Sequence, residues 1–426
     1  MKILIINQPT GNYGDLAAHR SLMRALSNIS GDINIKVLFP EYKSISIEKM
    51  NVTKSEYIGL PAKGRRFHKL SKIYFAINYF FCFEKLIFKL WSWYPDLKKV
   101  IQEVKWADYV ICAPGGICMG TFQNWRHIFY LKIAKIYGNY LAYYSRSWGP
   151  FPEKTFMQRV FKKSSIKLLH SFDFHSIRDS KTMKAADELG LSYIPSIDTA
   201  FLDQPRAQIP QEITSWIKDA PYTVIVPNEL IWHRNYHTAS KGNIKEFYLS
   251  IIRLLLKKDP NNKIIMLPQL YSQEKTTDEV YFQKIKDEVN DKRIFVVADK
   301  YDSDIQQTII SKAKLVIGAR YHSIVFAVNN SIPFISLSYE HKMIGLLEIL
   351  NKAECSIDIT PFASNSFDSK KALTKIDFLI ESVKPDPETR EKAHLIALSC
   401  FYELKQSINR TNGSHEGKPH SSGQNR

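Results

Sequence analysis

The feature of this sequence that most constrains its fold is a repeated unit of a short apolar strand, a polar or glycine-containing turn, and a helix. The unit opens the chain, where KILIIN is followed by QPTGNYGD and then by LAAHRSLMRAL, which has helical spacing. It returns at 316–350, VIGARYHSIVFAVNNSIPFISLSYEHKMIGLLEIL, which predicts strand, turn, helix, strand, turn and helix. Strands that alternate with helices in this way form parallel sheets with helices on both faces.

Two blocks of such units predict an α/β protein with two Rossmann-like, doubly wound domains that face a cleft. The stretch LDQPRAQIPQEI at 202–213 contains two prolines and is typical of a linker. We therefore predict an N-terminal domain at 1–205 and a C-terminal domain at 206–408. The latter includes a C-terminal helix that can cross back to the first domain. The polar, Gly/Ser-rich end at 409–426 is predicted to be disordered.

The turns that follow the predicted strands carry the candidate site residues of the N-terminal domain. Ligands of doubly wound sheets bind beyond the carboxyl ends of the strands, where turns that are distant in sequence meet. Gly14 frees the backbone to approach a ligand, and Asp15 is placed to cap the first helix. GNYGDL does not have the spacing of a dinucleotide-binding fingerprint. The candidate acceptor-binding or cleft residues are Asn12, Gly115, Gly116 and Ser147.

Cations and a histidine occupy the corresponding positions around the C-terminal block. Arg320 and His322 point the same way if both lie on a strand, and Lys342 follows the next predicted strand. Arginine offers a forked cation to phosphate or carboxylate, and histidine carries a proton near neutral pH. The alternative is an arginine paired with a carboxylate beside a core histidine. Arg178, next to Asp179, is either a ligand clamp or half of a local ion pair.

A net charge of +17 indicates an anionic partner, which can be a nucleic acid, a membrane surface or a phosphorylated substrate. The basic aromatic segment 61–99 bears on this choice, because its apolar residues recur at helical spacing. That pattern fits a helix lying on an anionic membrane or a packed amphipathic helix, and both alternatives stay open. An apolar face interrupts its basic residues, so nucleic acid is not expected. The repeating apolar residues are Ile73, Ile77, Phe80, Ile87, Leu90 and Tyr94.

The expected location is cytoplasmic, with peripheral contact at the inner face of the plasma membrane as the alternative. The apolar run of the N-terminus is too short for a signal peptide. Nor does any run approach the roughly 18 apolar residues that a membrane-spanning helix needs. The five cysteines are widely spread without a CxxC pair, which suits a reducing compartment.

Seven short elements together resemble the polysaccharide pyruvyl transferase family. They occur in the family's order over roughly residues 1–350, and GARYH with PFISLSYEHK is the most specific of them. The departures from the family pattern are Leu16, Trp148 and Thr199. The matching elements are NYGD, APGG, SRSWGPF, RDSKT, DTAF, GARYH and PFISLSYEHK.

The resemblance implies a GT-B-like pair of domains that binds phosphoenolpyruvate as a co-substrate, with no cofactor and no metal. The enzyme would transfer the pyruvyl group to two hydroxyls of one sugar as a cyclic ketal and release phosphate. His322 would protonate the methylene carbon, and Asp15 would activate the sugar hydroxyl. The residues implied to bind the donor's phosphate and carboxylate are Arg178, Arg320, Tyr321 and Lys342.

The implied acceptor is a sugar of a capsule, cell-wall or exopolysaccharide repeat. A polyprenyl diphosphate lipid could carry that sugar at the inner membrane, which would give segment 61–99 a reason to touch the membrane. Two other functions remain open on the same architecture. One is a nucleotide-sugar glycosyltransferase of the GT-B type, and the other is a non-catalytic relative that binds glycan.

Overall fold

The computed structural model describes two parallel sheets, one in each half of the chain, with helices packed on both faces of each sheet. This is the architecture that the alternation of strands and helices predicts. The described residues are 1–416 other than 10, 30–31, 40–54, 60–63, 82, 92, 117, 271–277 and 299–300.

The N-terminal sheet has seven strands, all parallel, in the order β3-β2-β1-β4-β5-β6-β7. The order reverses between β1 and β4, which is where doubly wound sheets bind ligands. The strands are β1 (Lys2–Ile6), β2 (Asn34–Phe39), β3 (Ser55–Gly59), β4 (Tyr109–Cys112), β5 (Leu141–Arg146), β6 (Phe174–Ile177) and β7 (Ile194–Pro195).

The C-terminal sheet repeats this plan with six parallel strands in the order β10-β9-β8-β11-β12-β13. Strands β8 and β11 hold the places that β1 and β4 hold in the first sheet. The strands are β8 (Tyr222–Val226), β9 (Lys263–Met266), β10 (Ile294–Val296), β11 (Leu315–Gly318), β12 (Phe334–Ser338) and β13 (Ser356–Asp358).

Helices connect the strands and cover the sheets. Those before the C-terminal block are α1 (Tyr13–Ser27), α2 (Gly64–Phe80), α3 (Glu84–Leu90), α4 (Pro95–Trp106), α5 (Trp125–Tyr137), α6 (Phe156–Leu169) and α7 (Ser180–Glu188). Those that follow are α8 (Gln211–Ile217), α9 (Lys241–Lys258), α10 (Asp278–Val289), α11 (Ser303–Ile310), α12 (Tyr321–Asn329), α13 (His341–Ile349), α14 (Ser369–Ser382) and α15 (Pro387–Glu416).

Alternate residues of the first strand enter different cores, as the period of a strand requires. Ile3 and Ile5 pack with Leu22 of α1, whereas Leu4 and Ile6 belong to the cluster on the other face of the sheet. Because both faces are covered, the strand reads as an unbroken apolar run in the sequence.

The last helix crosses from the second domain back to the first. Ala393 joins the core of the C-terminal half, whereas Leu404 and Ile408 pack on the N-terminal sheet. The Tyr109 hydroxyl donates a hydrogen bond to the Ile408 carbonyl at 3.0 Å. The helix continues to Glu416, so the expectation of disorder from residue 409 is wrong for its first residues. Residues 417–426 of the predicted tail lie outside the described part of the chain.

Ion pairs tie the first helix to the second domain. Arg20 of α1 contacts Asp302 at 3.2 Å and Asp304 at 2.8 Å, where α11 begins. Arg24 pairs with Asp203 at 2.7 Å, in the connection between the sheets. These contacts bring the turn that precedes α1 against the C-terminal domain, where the candidate site lies.

The basic aromatic segment does not form one long amphipathic helix. It divides into α2 and α3, so the predicted apolar residues do not lie along one face of a single helix. Ile87 is buried as expected, whereas Ile73, Phe80 and Leu90 of the same stripe are exposed. In the described part of the chain, no helix combines the length and the apolar character needed to cross a membrane.

Candidate active site

The first turn of the N-terminal domain places a glycine against the candidate catalytic histidine. Asn12 caps α1, and its side-chain oxygen accepts a hydrogen bond from the Gly14 N–H at 2.7 Å. A Cβ atom on Gly14 would lie 1.9 Å from Nδ1 of His322, which is far inside van der Waals contact. The glycine therefore lets the backbone approach this imidazole, where we expected it to approach a ligand.

Asp15 does not cap α1 as predicted, because Asn12 already fills that position. Its carboxylate stays in the first turn, partly exposed, and its charge acts on the buried arginines of the site. Burial would lower the pKa of Arg178, but nearby acids, Asp198 and Asp15 among them, outweigh it and raise that pKa. Asp15 thus lies near the arginines of the site and does not cap α1.

A single carboxylate connects the candidate donor-binding arginine to the candidate acid. Arg178 follows β6 and is buried, and its guanidinium forms an ion pair with Asp198. The same oxygen of this carboxylate, Oδ2, lies 3.4 Å from Nε2 of His322, and Oδ1 accepts a hydrogen bond from the Ala200 N–H at 2.9 Å. Ser147, predicted as a cleft residue, is also buried, with its Oγ 3.4 Å from Nε of Arg178. The local ion pair considered for Arg178 and Asp179 does not form, since Asp179 caps α7 instead.

This carboxylate is strongly held in its ionised form. Burial would raise the pKa of Asp198, but Arg178 and then His322 outweigh the burial and lower the pKa to about 2. The group therefore remains an anion near neutral pH, where it contacts both the imidazole and the guanidinium.

Tyr321 lies at the centre of the candidate donor site. Cζ of Arg178 is 4.8 Å from the centroid of its ring, and Nζ of Lys342 is 5.9 Å from it. The ring of His322 stands at 87° to it, with centroids 5.0 Å apart. The Tyr321 hydroxyl is buried and has no hydrogen-bond partner among the described residues. Buried polar groups of this kind are uncommon and often mark a place where a ligand binds.

Lys342 belongs to a second buried charge group. Its Nζ lies 2.7 Å from Oε2 of Glu340, and the other oxygen of that carboxylate lies 2.9 Å from Nε2 of His233. Burial would raise the pKa of Glu340, but Lys342 and His233 lower it to about 2. A Cβ atom on Gly116 would lie 3.8 Å from Nζ of Lys342, so the glycine turn of the first domain faces this lysine across the cleft.

Arg320 and His322 do not point the same way, contrary to prediction. The prediction assumed that both lie on a strand, whereas Arg320 is the N-cap of α12 and His322 lies in its first turn. Arg320 pairs with Asp278, and its Cζ lies 5.1 Å from the Trp232 ring. Its Nε is buried without a hydrogen-bond partner among the described residues, which leaves one donor available to a ligand.

A completely buried arginine holds the glycine turn of the first domain. Arg146 ends β5 and donates hydrogen bonds to the carbonyls of Ala113 and, at 3.0 Å, Gly116. Gly115 between them has φ +155°, a conformation that other residues rarely adopt. The turn thus directs two carbonyl groups at a cation.

Sequence reasoning missed the carboxylates that organise these cations and the arginine that holds the glycine turn. Three of the missed residues are acids that pair with predicted donor-binding residues. Asp198 and Asp278 pair with arginines of other elements, so no local pattern could identify those pairs. Glu340, by contrast, caps the helix that carries its partner Lys342. The missed residues are Arg146, Asp198, His233, Asp278 and Glu340.

Comparison with protein-family models identifies the group to which this chain belongs. The model described as polysaccharide pyruvyl transferase matches residues 12–341, a range that begins at the cap of α1 and includes Glu340. This chain belongs to the polysaccharide pyruvyl transferase family. The match covers the strands of both sheets other than β1 and β13, and it includes the site residues described above except Lys342, which lies one residue beyond it.

A relative and several solved structures agree with this assignment at different levels. The amylovoran biosynthesis protein AmsJ of Erwinia amylovora is 22% identical over 393 residues, covering 87% of this chain and 91% of AmsJ. The Staphylococcus aureus MnaA structure with UDP has a TM-score of 0.58 at 11% identity, covering 99% of this chain and 100% of MnaA. A UDP-GlcNAc 2-epimerase from Neisseria meningitidis has a TM-score of 0.51 at 11% identity, covering 96% of this chain and 100% of its own. These structural likenesses show the GT-B-like fold alone.

The three departures from the family pattern all lie in the interior. Leu16 packs in the core between α1 and the N-terminal sheet. Trp148 is buried, and its indole N–H donates to Nε2 of His175 at 3.3 Å. Thr199 begins the buried 3-10 turn that follows Asp198. In this pyruvyl transferase family member the substitutions therefore change packing around the site.

Proposed function

We propose that this protein transfers the pyruvyl group of phosphoenolpyruvate to two hydroxyls of one sugar. The product is a cyclic ketal on a cell-surface polysaccharide or its lipid-linked precursor, and phosphate is released. The observation that carries the proposal is the position of His322, which lies at the domain junction between Asp198 and the Gly14 backbone. Arg178 and Lys342 flank the adjacent Tyr321 ring, within reach of one small dianionic ligand.

The donor carries a phosphate and a carboxylate. The site offers arginine guanidinium groups, which can bind two oxygens at once, and the compact ammonium group of Lys342. Each cation has one carboxylate partner, so the site is stable before a ligand binds. The groups that lack a hydrogen-bond partner among the described residues include Nε of Arg320 and the Tyr321 hydroxyl. We assign these groups, with Arg178 and Lys342, to the oxygens of the donor.

The proposed chemistry begins with a proton and ends with phosphate. His322 donates a proton to the methylene carbon, which becomes a methyl group and leaves a cationic centre at the neighbouring carbon. The first sugar hydroxyl attacks that centre and loses its proton to Asp15. The bond to the phosphate oxygen then breaks, and the second hydroxyl attacks and loses its proton. One hydroxyl proton replaces that of His322 and the other leaves with phosphate, so neither a cofactor nor a metal is required by the proposal.

The acceptor side of the proposal uses the turns of the N-terminal domain. Asn12, Asp15 and Gly116 are partly exposed, whereas Ser147 is buried behind Arg178. Polar turns with exposed backbone groups suit the many hydroxyls of a sugar. We propose a sugar linked to a polyprenyl diphosphate as one acceptor, which would place the protein at the inner face of the membrane during reaction.

The test is phosphate release from phosphoenolpyruvate in the presence of a panel of free and lipid-linked sugars. The proposal expects acceptor-dependent release and a product that is heavier by one pyruvyl ketal. The His322→Ala variant serves as the control, since it should bind the donor without releasing phosphate. Binding of a nucleotide sugar without any binding of phosphoenolpyruvate would instead favour a glycosyltransferase. Binding of glycan with neither donor would favour a non-catalytic relative.

A further inference from the structure

One surface of the N-terminal domain exposes large apolar side chains to an unusual degree. Phe80 at the end of α2 is 67% exposed, and Trp93 after α3 is 75% exposed. The other members are at least half exposed, and Phe80 stacks on Phe156 of α6 with ring centroids 5.8 Å apart. We call this surface the aromatic face, and its members are Phe80, Phe81, Phe83, Leu86, Leu90 and Trp93.

The helices that carry the aromatic face are firmly packed on the domain. Tyr74 and Phe88 stack on each other at 4.6 Å between ring centroids, and both contact the Phe129 ring of α5. Phe75 and Ile87 are buried in the same cluster. One side of α2 and α3 thus forms core while the other presents apolar groups to the outside. The rings of Phe80, Phe81 and Phe83 contact one another in sequence, and exposed apolar surface of this kind marks an interaction site.

The charges around the aromatic face are predominantly positive. Lys85 and Lys89 are exposed on α3 among its apolar residues, and Lys163 of α6 lies 4.5 Å from the Tyr79 ring. The acid of this helix, Glu84, is neutralised by Lys132 at 2.7 Å and by Lys167 at 3.3 Å. The surface therefore combines exposed aromatic side chains with exposed lysines, as interfacial helices do.

We propose that the aromatic face binds an anionic lipid bilayer. Tryptophan and phenylalanine insert at the boundary between headgroups and acyl chains, and lysines nearby are attracted to anionic headgroups. A second copy of this chain fits less well, because a symmetric contact would bring the same lysine-bearing surface against itself, whereas an anionic bilayer complements its charge. The net charge of +17 acts in the same direction.

The position of the aromatic face gives this contact a consequence for the reaction. Phe156 is the first residue of α6, which follows the turn after β5, and that turn carries Ser147 of the site. A helix of a β/α unit begins at the edge where its strand ends, so Phe80 and Phe156 lie at the cleft end of the domain. Membrane contact would hold the cleft near lipid-linked sugars, a consequence that rests on the proposed function.

The test measures co-sedimentation of the full chain with vesicles. Wild type should bind vesicles that contain both phosphatidylglycerol and phosphatidylcholine. A Phe80→Ser/Leu90→Ser/Trp93→Ser variant should bind them at least about tenfold more weakly. Lys85→Glu/Lys89→Glu should lose a similar amount on anionic vesicles only. The matched control is Phe378→Ser/Leu395→Ser, which removes two equally exposed apolar groups (69% and 55%) from the other domain and should bind as wild type does.

Three results would overturn the proposal. They are unchanged binding by the folded triple variant, equal binding of wild type to vesicles of phosphatidylcholine alone, and absence of binding by wild type. Loss of a wild-type dimer in the triple variant, seen by size-exclusion chromatography, would assign the surface to a second copy instead. Transfer to a free sugar should be unchanged in the triple variant. Failure of that transfer in wild type counts against the proposed function and leaves the vesicle result standing.

Discussion

The turn after β4 and the turn after β11 occupy equivalent places in two sheets of the same plan, yet they are built from different chemistry. The first, at 113–116, is small residues and glycines whose carbonyls face the buried Arg146. The second places Arg320, Tyr321 and His322 at the start of α12, and carboxylates from other elements hold the two charged residues. One fold thus supplies a glycine turn, exposed in part at Gly116, on one side of the cleft and fixed charge on the other.

The difference indicates that the two sides of the cleft bind different substrates. Fixed charge suits a small anionic donor whose position must be reproducible, whereas exposed backbone suits a larger neutral acceptor. Because Gly116 faces Lys342 across the cleft, the two substrates would meet between these turns. Substitutions on the charged side should therefore affect donor binding and the rate of phosphate release. Substitutions that create a steric clash between the two sides should affect the unfolding free energy.

The largest effect is expected for His322→Ala, which removes the proposed proton donor from the charged turn. The rate of phosphate release should fall by roughly 10²–10⁴-fold, since general acid catalysis contributes that much. Stabilisation of the protein by phosphoenolpyruvate in a thermal melt should remain. An equally large loss of donor binding would show that His322 binds the donor and does not protonate it.

Arg178→Ala should destabilise the fold itself as well as weaken donor binding. The change leaves Asp198 buried without its main partner, which costs about 3–5 kcal/mol in comparable cases. Urea unfolding of wild type and variant measures the loss of unfolding free energy. Arg178→Lys is the control, because it keeps the positive charge but removes the paired N–H donors of the guanidinium. A variant as stable as wild type would mean that Asp198 does not depend on this arginine.

Gly14→Ala tests the close approach between the two domains. The new Cβ would collide with Nδ1 of His322, and forced packing of this kind costs roughly 1–3 kcal/mol. The double variant Gly14→Ala/His322→Ala should recover most of the lost unfolding free energy, because the colliding ring is gone. Additive losses in this cycle would contradict the close approach of the Gly14 backbone to the imidazole.

Acid should destabilise the charged side of the cleft, because its carboxylates become protonated as the pH falls. The pKa of Asp198 falls from 3.8 to about 2 and that of Glu340 from 4.5 to about 2 on folding. Groups with a depressed folded pKa stabilise the protein above their unfolded pKa and lose that contribution as pH falls toward the folded value. The unfolding free energy should therefore decline between about pH 5 and 2, by on the order of 2 kcal/mol for Asp198 alone.

Glu340→Gln provides the control for this pH dependence. The variant should be less stable than wild type at pH 6, because Lys342 and His233 lose their carboxylate, and its stability should change less on acidification. A slope equal to that of wild type would show that other carboxylates determine the acid response.

The sheets could be predicted from the sequence because their signals are local. Strands buried on both faces appear as continuous apolar runs, and each is followed within a few residues by a turn and a helical pattern, as in β1 and α1. The position of the site followed from the same pattern, since turns at carboxyl ends of parallel strands meet. Helix boundaries were less certain, and α15 extends to Glu416 where disorder was expected.

The carboxylate partners of the two arginines could not be predicted, because they are distant in sequence from the groups they hold. Asp198 lies 20 residues from Arg178, and Asp278 lies 42 residues from Arg320. The orientation of Arg320 also depended on one boundary, since a helix that begins at Tyr321 sends residues 320 and 322 to different partners. Similarly, the break between α2 and α3 decided which aromatic residues are exposed.

The measurement that tests the central claim most directly is a calorimetric titration of the wild-type protein with phosphoenolpyruvate, beside a titration with a nucleotide sugar. The account predicts that phosphoenolpyruvate binds one site, and that Asp15→Asn still binds it because Asp15 acts as a base on the acceptor. Binding of the nucleotide sugar with no heat from phosphoenolpyruvate would contradict the assignment of the charged turn to this donor.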